Sequence, residues 1–378
     1  MSLLSTLGLS SGRKIRYGFV GLGDIAQKAM LPGVEHTGNS TVAALVTDDP
    51  TKAEAIAKRY DVEHTCSYTE FDALLRSGDI DAVYIATPNW RHAEFAIPAL
   101  EAGIHVLCEK PLEVSSEAAL RIQAAQRASS AKLMVAYRLH FEPATLDSIE
   151  RIRNGELGTL IMATACFGQM LDPANHRAHN GMQGGPLLDM APYPINALRY
   201  LFGEEPVEVV SAIGTRHPEA GYGDLDDTIA VTLRFPADKL AQFIVSYYAN
   251  SVGSLIVAGT KGSLQLDPAF TFGEALEQFV TIGEDQHHEK FKTTDQFGGQ
   301  MRYFSDCILE GRDPEPDAEE GLADLRVIEG VMQALETGGA VPLAPFARSR
   351  RIDIDAQRQT LAYHAPPKPV NAASPTRE

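Results

Sequence analysis

Between a short apolar run, Tyr17–Val20, and a helical pattern over Ile25–His36, the chain carries Gly21-Leu22-Gly23-Asp24-Ile25-Ala26. Few arrangements restrict a fold so tightly. Gly21 permits a sharp turn, Gly23 lets backbone come close to a pyrophosphate, and Ala26 allows the helix to pack tightly on the strand. Asp24 and Ile25 open the helix, whose N-terminus offers N–H donors and the positive end of a dipole. The pattern alone is common. With a strand before it and a helix after it, it reads as a dinucleotide cradle; a glycine turn in some other α/β protein is the alternative.

The surrounding residues repeat the same grammar. Thr41–Val46, Ala82–Ala86 and His105–Cys108 are short apolar runs typical of buried parallel strands. Lys52–Tyr60, His92–Ala102 and a segment opening at Ser115 or Ser116 are helical, which predicts a doubly wound Rossmann sheet over residues 15–137. In such a sheet an acidic residue about 20 positions after the glycines reads the ribose. Asp48 stands there, in Val46-Thr47-Asp48-Asp49. Its charge would repel a 2′-phosphate, so the expected cofactor is NAD(P) with NAD somewhat preferred; Lys52 is the counterweight. A plain turn or helix cap is the other reading of Asp48-Asp49-Pro50.

The second half changes character. Ile161–Phe167, Val207–Thr215, Thr228–Phe235, Leu240–Tyr248, Ser254–Val257 and Ser263–Leu266 look like strands joined by short turns. Helices are expected at Pro194–Phe202 and Gly321–Thr337. This predicts an α+β domain over 138–345, built on a large, mainly antiparallel, open-faced sheet. Residues 1–14 form an N-terminal extension, and 346–378 a tail, poorly ordered after Ala365. Ile229, Val231, Leu233 and Phe235 alternate with Ala230 and Thr232. Phe243, Val245 and Tyr247 lie opposite Ile244 and Tyr248. Both faces are therefore partly apolar, which points to a homodimer or homotetramer.

A chain of 378 residues exceeds one core's usual size, in line with two domains. The net charge of −17 and pI near 5.1 argue against nucleic acid and anionic membrane as partners. The acids from Glu315 to Glu320 suit a helix N-terminus. Cys66, Cys108, Cys166 and Cys307 have no metal or disulfide spacing. Lacking a basic, apolar leader or a long apolar run, the chain is expected to be cytoplasmic.

Two further segments carry chemistry. Cys108-Glu109-Lys110-Pro111 follows a buried strand and puts a lysine at the sheet's carboxyl end, where ligands bind. Gly184-Gly185-Pro186-Leu187-Leu188-Asp189-Met190-Ala191-Pro192-Tyr193 leads into a helix; if both are helical, Asp189 and Tyr193 share a face. Singly, these are a surface lysine, a cap and a core aromatic. Together with the glycine turn, they resemble the Gfo/Idh/MocA oxidoreductases. Thr87-Pro88-Asn89-Trp90-Arg91-His92 and Ala258-Gly259-Thr260-Lys261-Gly262-Ser263-Leu264 match as well. The likeness runs from Arg16 to Pro342. The segments Tyr137–Pro143 and Tyr193–Pro206 look like the glucose–fructose oxidoreductase branch, which carries Tyr where many relatives carry His.

The resemblance implies a sugar or sugar-like substrate and hydride transfer to or from nicotinamide. It implies Tyr193 as acid/base, Lys110 as its cationic partner and Asp189 orienting sugar or lysine. A free phenol ionises near pH ~10, and an adjacent ammonium stabilises the phenolate. It further implies Thr87, Pro88, Asn89, His92, Glu109 and Lys110 beside the cofactor, and a cis Lys–Pro bond. Arg138, His140 and His179 are substrate-side candidates; His179 also reads as a solvated loop histidine. No long proline-rich arm precedes Ile15, so an exchangeable rather than captive cofactor is expected. An NAD-dependent glycosidase and a non-catalytic nucleotide sensor are the rival readings. Aldose, inositol, anhydro-sugar and trans-dihydrodiol all fit the residues.

Overall fold

The computed structural model describes residues 12–372 and 374–377. Most of the expected N-terminal extension lies outside them. The first sheet has six parallel strands: β1 (Ile15–Val20), β2 (Ser40–Val46), β3 (His64–Cys66), β4 (Ala82–Ile85), β5 (His105–Cys108) and β6 (Leu133–Val135). Their order is β3-β2-β1-β4-β5-β6. The order reverses between β1 and β4, and in a doubly wound sheet the crevice at that switch point takes the ligand. Buried on both faces, β4 reads Ala-Val-Tyr-Ile with every residue inside, as a central parallel strand requires.

The second sheet has nine strands: β7 (Leu160–Met170), β8 (Glu208–Thr215), β9 (Thr228–Arg234), β10 (Leu240–Ser246), β11 (Tyr248–Gly259), β12 (Gly262–Leu266), β13 (Glu277–Ile282), β14 (Asp285–Lys290) and the two-residue β15 (Val341–Pro342). The order is β14-β13-β12-β11-β7-β10-β9-β8-β15, antiparallel except where β7 and β10 run parallel. Alternation along β9 and β10 buries Ile229, Val231, Leu233, Phe243 and Val245 on one face. On the other face Ile213, Ala230, Ile244 and Cys166 form one row across four strands. Ile213 there is 65% exposed and Ile244 44%.

Three features depart from the sequence reading. The helix Gln296–Glu310, in the stretch assigned to the second domain, packs Phe297, Met301, Phe304 and Cys307 against Tyr17, Phe19 and Tyr84 of the first sheet. Asp189 and Tyr193 sit in successive helices, Pro186–Asp189 and Pro192–Phe202, rather than on one helical face. The tail after Ala365 is not loose. Val370 bonds to Gln27 in both directions, and Thr376 bridges to Leu171.

Elsewhere the sequence signals work locally. Asp317 caps the helix Ala318–Thr337, with Glu319 and Glu320 in its first turn. Glu320 then turns inward to the fully buried Arg199, which also pairs with Glu205 and Asp324. This closed ion cluster joins the Pro192–Phe202 helix, which begins at the site, to the long helix behind it. No helix among the described residues is long and apolar enough to cross a membrane.

Candidate active site

The glycine turn closes against the end of β4. Gly21 has φ +89°, and a Cβ there would stand 2.7 Å from the Ala86 carbonyl oxygen, so only glycine fits. At Gly23 a Cβ would meet nothing within 4 Å, leaving its backbone facing open space. Ala26 is fully buried, and Asp24 pairs with Lys28 at 2.8 Å. The helix opens at Asp24 and Ile25 and passes into a π-type turn over Ala26–Met30.

Across the crevice, Thr87 Oγ1 is buried with no hydrogen-bond partner among the described residues. A buried hydroxyl left unpaired is uncommon, and this one stands beside the glycine turn, where a ligand's polar group would satisfy it. Pro88 and Asn89 follow it, in a short turn closed by Arg91 N–H to the Pro88 carbonyl at 2.8 Å. The bare Gly23, the unpaired Thr87 hydroxyl and the free helix end together fit a dinucleotide.

At the ribose corner, Asp48 is exposed at the end of β2, and one oxygen accepts the Tyr68 N–H at 2.9 Å. Asp49 is the helix cap, accepting the Lys52 N–H at 2.9 Å, with the Lys52 ammonium 3.9 Å from its other oxygen.

Two expected cofactor neighbours have other employment. His92 is fully buried, its ring nitrogens 2.9 Å from the Pro111 carbonyl and 3.1 Å from that of Thr87. It ties the Lys110-Pro111 turn to the end of β4 from beneath, with no face left for a ligand. Burial, with the Lys110 charge adding, pushes its pKa down to about 4. Glu109 accepts the Tyr84 hydroxyl at 2.7 Å, and burial pushes its carboxyl up. The Lys110–Pro111 bond is cis, as the resemblance implied.

Lys110 reaches from the end of β5 to the second domain. Its ammonium donates to the Asp189 carbonyl at 2.6 Å, lies 3.6 Å from the Asp189 carboxylate, and sits 4.6 Å from the centre of the Tyr193 ring. Asp189 also accepts the Tyr247 hydroxyl at 2.9 Å and pairs with Arg177 at 3.3 Å. Burial alone would raise its carboxyl, but Arg177 and Lys110 outweigh that and hold it below the usual carboxylate value. Asp189 is therefore a charged anchor for Lys110. Tyr193 packs edge-on against Phe167, at 5.3 Å between ring centres.

The substrate-side expectations fare differently. Arg138 is 4% exposed, and four of its five N–H donors are given to protein. Its Nε donates to the Tyr193 hydroxyl at 3.3 Å, and its other nitrogens donate to Gln296 Oε1 and to the carbonyls of Thr271 and Phe270. It has no fork to offer a sugar; it holds the phenol. His140 is buried behind the site between Glu315 and Asn196. His179 is an exposed loop histidine bonded to the Pro173 carbonyl at 2.6 Å. Arg177 and Tyr247 escaped the sequence reading. Arg177 sits in a loop with no periodicity, and Tyr247 reads as one more inward strand aromatic.

Comparison with known proteins points to one family. A family model described as "Oxidoreductase family, NAD-binding Rossmann fold" matches residues 15–137. The GFO/IDH/MocA C-terminal domain model matches residues 148–265. A D-xylose 1-dehydrogenase (NADP(+)) from Haloarcula marismortui is 31% identical over 338 residues, covering 87% of this chain and 93% of the relative. An aldose-aldose oxidoreductase from Caulobacter crescentus, solved with glycerol, superposes with TM-score 0.83 at 33% identity, over 88% of this chain and 100% of that one. A 3-ketoreductase from Actinomadura kijaniata, solved with NADP and TDP-benzene, superposes with TM-score 0.77 at 26% identity, over 85% and 98%.

Proposed function

The chain belongs to the Gfo/Idh/MocA oxidoreductase family, and on that premise we propose that it transfers hydride between NAD(P) and a hydroxyl or carbonyl carbon of a sugar or sugar-like compound. One observation carries the reading: Lys110, which follows β5 beside the strand that the glycine turn meets, stands 4.6 Å from the centre of the Tyr193 ring. The relatives named for xylose and for aldoses support the substrate class.

A bound nicotinamide supplies the hydride acceptor or donor. The protein handles the proton. Tyr193 takes the substrate hydroxyl proton in oxidation and returns one to the carbonyl oxygen in reduction. Two cations lie at its ring, Lys110 at 4.6 Å and Arg138 at 4.8 Å from the ring centre, and Arg138 Nε donates to the oxygen that exchanges the proton. Lys110 also has ammonium hydrogens beyond the one it gives Asp189, and these can hold the reacting oxygen. Asp189, pinned by Arg177 and Tyr247, fixes where that ammonium stands.

Aldoses, polyols and dicarbonyls offered with NAD or NADP should change nicotinamide absorbance. Tyr193→Phe and Lys110→Ala should each cut turnover about 10²–10⁴-fold while leaving dinucleotide binding largely intact. Full activity in Tyr193→Phe would sink the assignment.

The partner of the second sheet is, in this reading, another copy of the chain. The outer face exposes Met162, Ile213, Leu240, Ile244, Ile256 and Phe279, each at least 36% accessible. These apolar side chains share the face with Thr164, Thr232, Gln242 and Gln265, and a face exposing so many large apolar residues marks an interaction surface. A sheet face that meets its own copy gives a homodimer, and two such dimers a tetramer.

A further inference from the structure

The last residues of the chain run along the helix after β2, from its last turn to its N-terminal end, and reach the proposed dinucleotide groove at Gln27 and Asp49. The Arg59 guanidinium, on the helix after β2, donates to the Lys368 carbonyl at 3.1 Å. Val370 is held in both directions by one side chain: its N–H donates to Gln27 Oε1 at 2.7 Å, and Gln27 Nε2 donates to its carbonyl at 2.9 Å. Asn371 Nδ2 then reaches Asp49 Oδ2 at 3.3 Å. Beyond Asn371 the chain crosses to the other sheet. The Asp172 N–H donates to the Pro375 carbonyl at 2.9 Å, and the Arg377 N–H to the Met170 carbonyl at 3.0 Å.

The anchors matter because of what they belong to. Gln27 is 1% exposed, lies on the helix opened by the glycine turn, and also donates to the Leu22 carbonyl inside that turn at 2.8 Å. Asp49 and Lys52 form the corner where the ribose is read. Met170–Asp172 end β7 and lead into the loop that brings Arg177 to Asp189. The tail thus joins the phosphate turn and ribose corner on one wall to the catalytic loop on the other. Val370 to Thr376 spans at most about 20 Å of extended chain, enough to bridge a cleft. Pro366, Pro367, Pro369 and Pro375 stiffen it and lower the entropy lost when it docks.

We propose that residues 368–372, together with 374–377, are a strap over the bound dinucleotide, and that the cofactor leaves only when Val370 releases Gln27. The inference rests on the cofactor assignment above. Asn371 extends the ribose corner: its amide engages the same Asp49 oxygen that Lys52 approaches, so it governs how freely Lys52 can meet a 2′-phosphate. The expected exchange of cofactor between turnovers is accordingly gated by the tail.

The test measures release of NADH and NADPH by stopped-flow fluorescence from the full chain, from a chain ending at Ala365, and from Val370→Pro, which removes the N–H given to Gln27. Release should quicken about tenfold or more in the shortened chain. In Val370→Pro it should quicken about fivefold, the size of one lost neutral hydrogen bond. Hydrogen exchange at residues 366–377 should slow when the full chain is saturated with dinucleotide. Val370→Pro keeps the test decisive if the shortened chain does not fold. Release at the full-chain rate from Val370→Pro, with no slowing of tail exchange, overturns the strap and leaves the cofactor assignment standing. Failure of the full chain to bind either dinucleotide overturns both.

Discussion

Arg138 Nε donates to the Tyr193 hydroxyl at 3.3 Å, while its other nitrogens are spent on Gln296 and two backbone carbonyls. A guanidinium fixed at so many points has no freedom to follow a substrate. It sets the direction of the phenolic O–H instead. Arg138→Met should therefore lower kcat by roughly 10- to 100-fold, less than loss of the acid/base itself, with little change in the KM for sugar. Arg138→Lys should restore only part of the rate, because a lysine cannot reproduce the planar fork. Steady-state kinetics would separate the two roles: a rise in KM with kcat unchanged would mean that Arg138 binds substrate after all.

The cofactor preference is expected to turn on a single carboxylate. Asp48 is exposed at the end of β2, where a 2′-phosphate would meet its charge. NAD should bind more tightly than NADP, and Asp48→Ser should narrow the gap. The relative named for NADP makes this a sharp test. Titration of the wild-type chain with both reduced dinucleotides checks it, and much tighter NADPH binding would show that Asp48 does not face the ribose.

His92 gives the fold an acid limit. Burial, reinforced by Lys110, holds its pKa near 4, below the ordinary histidine value of ~6.5. The unfolded chain therefore takes up a proton first. The contribution to stability is complete above pH ~6.5 and is lost as pH falls towards 4, about 3 kcal/mol in all. Denaturant melts between pH 7 and 4 should show a slope that His92→Gln reduces. An unchanged slope would mean that the ring is protonated in the native state.

The exposed row on the second sheet should bury itself in a dimer or tetramer. Light scattering at micromolar concentration should give at least twice the 41.0 kDa of one chain. Ile244→Lys, a charge inside the row between Ala230 and Cys166, should shift the population towards monomer. A wild-type mass near that of a single chain would reject the proposal.

Most of the frame was legible in local order. The glycine turn needs Gly21 because a Cβ would strike the backbone after β4, and such a clash leaves its mark on the sequence as a required glycine. The runs at Ala82–Ile85 and His105–Cys108 announce buried strands because both faces must be apolar. Alternation in β9 and β10 marks one inward face, since side chains of a strand point alternately to its two sides. The charged and aromatic residues of the site were visible as residue types, Lys110 before a proline and Asp189 and Tyr193 after paired glycines, but their roles came from the family resemblance and not from spacing.

Their partners were decided elsewhere. Whether an arginine reads a sugar or holds a tyrosine depends on which groups surround it. Arg138 is surrounded by Gln296, Phe270 and Thr271, more than 130 positions away. His92 carries a histidine's usual promise in the sequence, yet two carbonyls, from Thr87 and from the turn after Lys110, claim both its nitrogens. The tail has the composition of a loose end, and only the distant Gln27 makes it a docked strand. Periodicity and turn chemistry act between neighbours, so one sequence displays them. Pairing of buried polar groups acts between segments that meet only on folding, and the tertiary structure alone determines which of them meet.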